Sequence, residues 1–296
     1  MISRPTIIFS SIGRTGTNFF AELFNSVCQD CLALHEPDVL TIRKNKALKN
    51  TAKQINEIGG KYLWLKIRGS WSLVKISDDR FTGRIDKEFA TKKLFEQRSD
   101  FIDFKTAGIY IESSIGYYGL LDILGDVFEN FCAIYLVRDA RTWVQSAYNW
   151  GKMYNKKGLK KVFVHNWPRA DELFDDPYKN KWPEMGRFAR ICWAWRYLNE
   201  FALNSIEKDS NIKLYKFEDI FTSKVEDSKI LDLLDYISNS RNIHIKYNRE
   251  EVFLFLKNKI NASKKGDLFK YNNWTGKQKT IFEDICGPLM DKFGYR

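Results

Sequence analysis

Long apolar runs are the first thing this sequence lacks: no stretch approaches the about 18 uncharged apolar residues that a membrane-spanning helix requires, so no transmembrane segment is expected. Cysteine is scarce, five in 296 residues and odd in number. That is no basis for a disulfide framework and suits a reducing compartment. Cys28 and Cys31 form a C-x-x-C, but they follow the first expected helix, where a thioredoxin-like pair would open one, and no second pair completes a zinc site. The opening Met1-Ile2-Ser3-Arg4-Pro5 runs into a strand-like segment, without the basic, apolar and cleavage regions of a secretory leader in order. A cytoplasmic protein is the expectation. Internal repeats and low-complexity tracts are also missing.

What is present describes a folded chain. Hydrophobic residues make up 44% and charged residues 29%, a balance that supports one compact core rather than extended disorder. A chain of this length buries most of its surface as a single unit, so residues 1–296 are expected to form one domain. Lys and Arg number 48 against 37 Asp and Glu, a formal charge of +11, which concentrates anions at the surface. Charge alone leaves nucleic acid, a small polyanionic nucleotide and an acidic glycan all open as partners.

Pro5 to Ile12 reads as a strand ending in small residues, and Phe19, Phe20, Leu23, Phe24 and Val27 then repeat at helical spacing. Cys31 to Leu34 is a second strand, ending at His35-Glu36-Pro37. Further strands are expected over Tyr62 to Ile67, Gly108 to Glu112, Phe131 to Val137 and Ile212 to Phe217. Helices are expected over 113–124, 141–150, 188–203 and 277–293, and a solvated helix or loop over 41–53. Phe131 to Val137 is apolar throughout, as a strand buried on both faces of a parallel sheet must be. Strands alternating with helices predict an α/β, P-loop-like three-layer fold with a central, mainly parallel sheet, whose ligands sit at the carboxyl ends of the strands. Residues 151–185 break the pattern with lysines, aromatics and turn-like prolines and read as an insertion or cap.

Chemistry concentrates at two strand ends. Ser10-Ser11-Ile12-Gly13-Arg14-Thr15-Gly16-Thr17-Asn18 joins the first strand to a helix N-terminus, where free backbone N–H groups make an anion site and Gly16 permits close approach. The loop has no Gly-Lys pair, and no obvious acidic magnesium ligand follows a strand, which counts against a P-loop kinase. An ordinary capped helix start, with Thr15 or Thr17 as cap, remains open for the loop taken alone. The second place is Arg138-Asp139-Ala140-Arg141 after the strand 131–137, with Ser146 eight residues beyond Arg138. A guanidinium and a hydroxyl from a strand end and the next helix can grip one phosphate.

Together, and in this order, the two motifs resemble the superfamily of sulfotransferases that use 3′-phosphoadenosine-5′-phosphosulfate (PAPS), including its bacterial and carbohydrate branches. Gly13 to Asn18 is similar to that family's 5′-phosphosulfate loop, and Tyr135-Leu136-Val137-Arg138-Asp139 with Ser146 to its 3′-phosphate motif. Alanine at 140 stands where many relatives carry proline. His35-Glu36-Pro37 resembles a segment of bacterial carbohydrate sulfotransferases whose Glu is the general base. Tyr215-Lys216-Phe217-Glu218-Asp219 resembles a family strand end, and Lys264-Lys265-Gly266 before Trp274 a loop that closes over the nucleotide.

The resemblance implies PAPS as donor and adenosine 3′,5′-bisphosphate (PAP) as product, with no metal. It implies nucleotide contacts from Arg14, Thr15, Gly16, Thr17, Asn18, Arg138, Ser146, Lys265 and Gly266, and catalytic roles for Glu36, Arg14 and His35. An acceptor hydroxyl attacks sulfur in line, a base takes its proton, and Arg14 with the loop amides meets the charge on the departing oxygen. Base chemistry leaves Glu36 and His35 both open, since neighbours in an extended segment point opposite ways and only one faces the cleft; the resemblance favours Glu36. The acceptor is expected to be a glycan or small molecule, and aromatics of 151–185 are candidates for stacking on sugar rings. Alternatives are a P-loop kinase-like transferase and a basic nucleic-acid-binding protein, the latter without any recognised motif.

Overall fold

The computed structural model describes residues 1–38, 72–102, 108–155, 167–221, 228–240, 243–259 and 269–296. The strands 62–67 and the helix or loop 41–53 expected from the sequence lie outside the described residues, as do Lys265 and Gly266.

Strand β1 (Thr6–Ser10) is followed by α1 (Thr17–Val27) and β2 (Cys31–His35). Helices α2 (Leu73–Phe81) and α3 (Lys87–Ile102) precede β3 (Ile109–Ser113). The short α4 (Leu124–Val127) leads to β4 (Phe131–Val137), α5 (Ala140–Trp150) and α6 (Arg187–Ile206). Strand β5 (Ile212–Lys216) passes into α7 (Phe217–Phe221), and α8 (Ile230–Ser238), α9 (Arg249–Lys259) and α10 (Gly276–Lys292) follow.

The five strands form one sheet in the order β2-β3-β1-β4-β5, and every pairing is parallel. β1, β3 and β4 are buried at every position, which explains why β4 runs apolar throughout and why none of the three alternates apolar with exposed polar residues. Ile8, Tyr135 and Val137 face a core shared with Trp143, Trp195 and Leu289, whereas Ile7, Phe9 and Ile134 face one shared with Phe20, Phe24, Leu234 and Val252. The sheet is therefore the middle of three layers. From β1 the chain crosses to β2 on one side, and from β4 to β5 on the other, so the crevice between the carboxyl ends of β1 and β4 is the topological switch point where open α/β sheets bind ligands.

Two expectations change. Residues 113–124 are not one helix but two 3-10 turns, Ile115–Gly119 and Leu121–Ile123, running into α4. The cause is close packing on α2: a Cβ at Gly119 would lie 2.8 Å from Ser77 Cβ, and one at Gly116 would overlap Leu73. Ser77 Oγ donates to Gly116 O, which a regular α-helix would occupy itself. Within 151–185 the described residues are turns with two short 3-10 segments, Ala170–Glu172 and Trp182–Glu184. They are fastened to α6 through Asp176, whose Oδ2 accepts from Trp193 Nε1 and Arg196 Nη2, each at 3.0 Å. Trp182 is buried against Trp193 and Tyr154, so this tryptophan fills core volume and is not free to stack on a sugar.

Candidate active site

The loop between β1 and α1 is a run of left-handed residues: φ is +83° at Gly13, +59° at Arg14 and +74° at Gly16. Glycine tolerates this at no steric cost; at Arg14 the conformation is strained and is held by its surroundings. Trp143 Nε1 of α5 donates to Gly13 O at 2.9 Å, and Arg138 Nη1 donates to Arg14 O at 2.8 Å. Ser11 Oγ accepts from Gly13 N at 3.1 Å and from the Thr15 hydroxyl. Gly16 is the N-cap of α1, and no side chain caps that helix, which answers the simple capping alternative: neither Thr15 nor Thr17 fills the role. The first N–H groups of α1 face outward at the positive end of the helix dipole. Phe221 of α7 closes over the loop, and a Cβ at Gly16 would sit 3.0 Å from its Cζ.

Arg138 begins the turn after β4. Its Nε donates to Thr142 Oγ1 at 3.0 Å, its guanidinium lies over the Phe217 ring at 4.6 Å, and its carbonyl accepts from Trp195 Nε1 at 2.9 Å. Asp139 caps α5, accepting from Arg141 N, while Glu218 Oε1 accepts from Asp139 N at 3.1 Å. From the facing side, Arg14 Nε donates to Ser146 Oγ at 3.0 Å. Arg14, Arg138 and Ser146 thus meet at the switch point although 132 residues separate the first from the last. Burial lowers the proton affinity of both guanidiniums, and for Arg138 the nearby Arg14 charge adds to this against Glu218 and Asp139. Among the described residues neither arginine forms an ion pair. A bound anion would relieve both.

The other proposed contacts differ in kind. Thr15 and Thr17 are buried, and the Thr15 hydroxyl is engaged by Ser11, so they offer backbone N–H groups. Asn18 turns along its own helix, its Nδ2 donating to Glu22 Oε1 at 2.6 Å. The Arg141 side chain pairs with Asp139 and reaches Tyr295 O at 3.2 Å. Among the described residues no group of three His, Cys, Asp or Glu is gathered as a metal site.

His35 and Glu36 end β2 on the same rim, two strands from β1, or roughly 10 Å at normal strand spacing. Only one of the pair was expected to face the cleft. The strand, however, stops at His35, and Glu36 takes a left-handed φ of +43°. That kink cancels the alternation and brings His35 Nε2 to 3.9 Å from Glu36 Oε2. Ser113 O is 3.0 Å from His35 Nδ1 and also accepts from Glu36 N at 3.0 Å. Ser113 Oγ in turn donates to Thr17 O at 2.6 Å, tying this rim to the start of α1. Burial, aided by the charges of Asp38 and Glu112 and opposed by His35, raises the Glu36 carboxyl above its ordinary range.

Sequence reasoning missed the supporting residues Trp143, Trp195, Ser113 and Phe221, and it named Glu218 only as part of a family strand end, without its contact to Asp139. Buried tryptophans carry no local sign that their ring nitrogens hold two loops. Trp150 was also missed; it is 38% exposed at the end of α5, with the Arg14 guanidinium 5.9 Å from its ring and Trp167 edge-on at 6.3 Å.

No family model matches the sequence, and no curated protein matches it. Solved structures do. The sulfotransferase STF9 from Mycobacterium avium superposes with a TM-score of 0.53 at 12% identity, covering 99% of this chain and 77% of its own. The sulfotransferase STF1 from Mycobacterium tuberculosis H37Rv gives 0.51 at 12% identity, over 96% and 77%. At that identity the likeness is one of fold. With its all-parallel β2-β3-β1-β4-β5 sheet and the glycine-containing loop behind the central strand, this chain has the fold of the sulfotransferases.

Proposed function

We propose that the chain is a PAPS-dependent sulfotransferase that moves a sulfuryl group from PAPS to a hydroxyl of a carbohydrate acceptor, releasing PAP. The observation that carries this reading is the meeting of Arg14 and Arg138, two desolvated cations that form no ion pair among the described residues, at an uncapped helix N-terminus in the switch-point crevice. Such a place suits a ligand with anionic groups at two points, as PAPS has. Arg138 and Ser146 would hold the 3′-phosphate, and the amides of residues 14–18 the 5′-phosphosulfate.

In the reaction the acceptor oxygen bonds to sulfur as the bond from sulfur to the bridging oxygen breaks. Glu36 takes the acceptor's proton, with a proton affinity raised towards that task. Arg14 and the loop amides stabilise the negative charge that appears on the bridging oxygen. His35 lies against Glu36 and favours its ionised form. For the acceptor, the partly exposed Trp150, with Arg14 and Lys152 near its ring, supports a sugar, whose C–H groups pack on an indole and whose hydroxyls accept from cations.

Two experiments test this. PAP should stabilise the protein against heat without magnesium, whereas a kinase would respond to ATP with magnesium and a nucleic-acid binder to oligonucleotides in a salt-sensitive way. Incubation with radiolabelled PAPS and a panel of glycans should then yield a labelled product. Given that acceptor, Glu36→Gln should lower kcat by about 10²–10⁴-fold with donor affinity nearly unchanged, and should remove the acid limb of the pH profile. Retained turnover in Glu36→Gln with loss in His35→Gln would exchange the two roles.

A further inference from the structure

Beneath the rim that carries Glu36 lies an ion cluster with no part in the chemistry above. Arg98, fully buried in α3, places Nη2 at 2.6 Å from Glu112 Oε1 and 3.5 Å from Asp38 Oδ1. Glu112 is equally buried on β3 and accepts at Oε2 from the Tyr110 hydroxyl at 2.8 Å and the Tyr117 hydroxyl at 2.9 Å. Asp38 Oδ2 accepts from Leu73 N at 2.6 Å, while its Oδ1 is buried without a hydrogen-bond partner. Both acids flank Glu36. Asp38 follows it by two residues, and Glu112 pairs in register with Leu34, two residues before Glu36, or roughly 7 Å along a strand.

Among the described residues, one cation therefore stands against two carboxylates. The charged groups that act on Glu36 are the adjacent His35, Asp38 two residues on and Glu112 from β3, and Glu112 is in turn held by Arg98, Tyr110 and Tyr117. A surplus negative charge in a water-poor setting disfavours a further carboxylate and favours its protonated form. We propose that Asp38 and Glu112 are positioning residues that act through Glu36: two carboxyl groups set against the single guanidinium of Arg98 beneath the rim favour a proton on the Glu36 carboxyl. The cluster thus does in the second layer what a base needs, without touching the acceptor. The raised Glu36 carboxyl, with burial the largest cause and these two charges next among the raising ones, agrees with this.

The inference rests on Glu36 being the base, yet its proton affinity is measurable without turnover. The full chain would be labelled with ¹³C at glutamate side-chain carboxyls, the Glu36 resonance identified by its loss in Glu36→Gln, and its titration followed in wild type, Asp38→Asn and Glu112→Gln. The expected result is a Glu36 midpoint moved to lower pH in each variant. An unchanged or raised midpoint in the folded variants would overturn the proposal. Because Glu112 is fully buried and its variant is at risk of not folding, Asp38→Asn, which keeps an acceptor for Leu73 N, carries the test alone if need be; stabilisation by PAP checks that it is folded. Full activity in Glu36→Gln would remove the base assignment and leave the titration result intact, so the two failures are distinct.

Discussion

At the residue scale, the candidate site depends on backbone conformations that few side chains accept. Gly16 combines a φ of +74° with a Cβ direction that ends 3.0 Å from Phe221 Cζ. Gly16→Ala should therefore strain the loop by about 1 kcal/mol or more and tilt its amides. Isothermal titration should show weaker PAP binding, and an affinity equal to wild type would mean that the loop does not hold the nucleotide. Arg138→Ala removes a charge-assisted contact and should weaken PAP by about 1.5–3 kcal/mol. The same variant should lose little for a nucleotide lacking the 3′-phosphate. Equal losses for both ligands would separate Arg138 from that phosphate. These residues were legible because each motif is contiguous: Gly13 to Asn18 and Val137 to Ser146 announce a loop and a strand end locally. Arg98 was not legible. A buried arginine on a lysine-rich helix looks like any solvated one until Glu112, 14 residues on, is folded against it.

At the element scale, β1, α1, β4, α5, α6 and α10 were readable from apolar spacing, because each buries a continuous face or both faces. α3 and α9 were not, since charged residues interrupt their apolar positions, and 3-10 turns replaced the helix at 113–124 because glycines there meet α2. α2 also holds a titrating group. Asp78 is buried, its Oδ1 accepting from the Tyr118 hydroxyl, and burial pushes its carboxyl up to about 8. Between the ordinary value of 3.8 and about 8 the folded chain binds a proton that the unfolded chain lacks. Stability contributed by protonated Asp78 is therefore lost as pH rises through that window. Asp78→Asn keeps the acceptor for Tyr118 and should flatten the fall in Tm between pH 5 and 8, with the larger gain at the alkaline end. A parallel pH dependence in the two proteins would place the titrating group elsewhere.

At the scale of the whole molecule, the turn after β4 is braced by a segment distant in sequence. Tyr295, just after α10, donates its hydroxyl to Glu218 Oε2 at 2.8 Å and to Val137 O at 3.3 Å, while Lys216 Nζ donates to Gly294 O at 2.7 Å. Glu218 in turn holds Asp139 N. Tyr295→Phe should cost about 1 kcal/mol, lower Tm by about 2–4 °C and weaken PAP binding; unchanged affinity would show that this brace is dispensable to the site. β1 and β4 precede α10 and pair directly with each other, but the turn that bears Arg138 gains its brace only when α10 and Tyr295 follow. A chain lacking α10 and Tyr295 would have the paired sheet without the brace on this turn, so the crevice is completed by docking of a distant segment rather than by sheet formation.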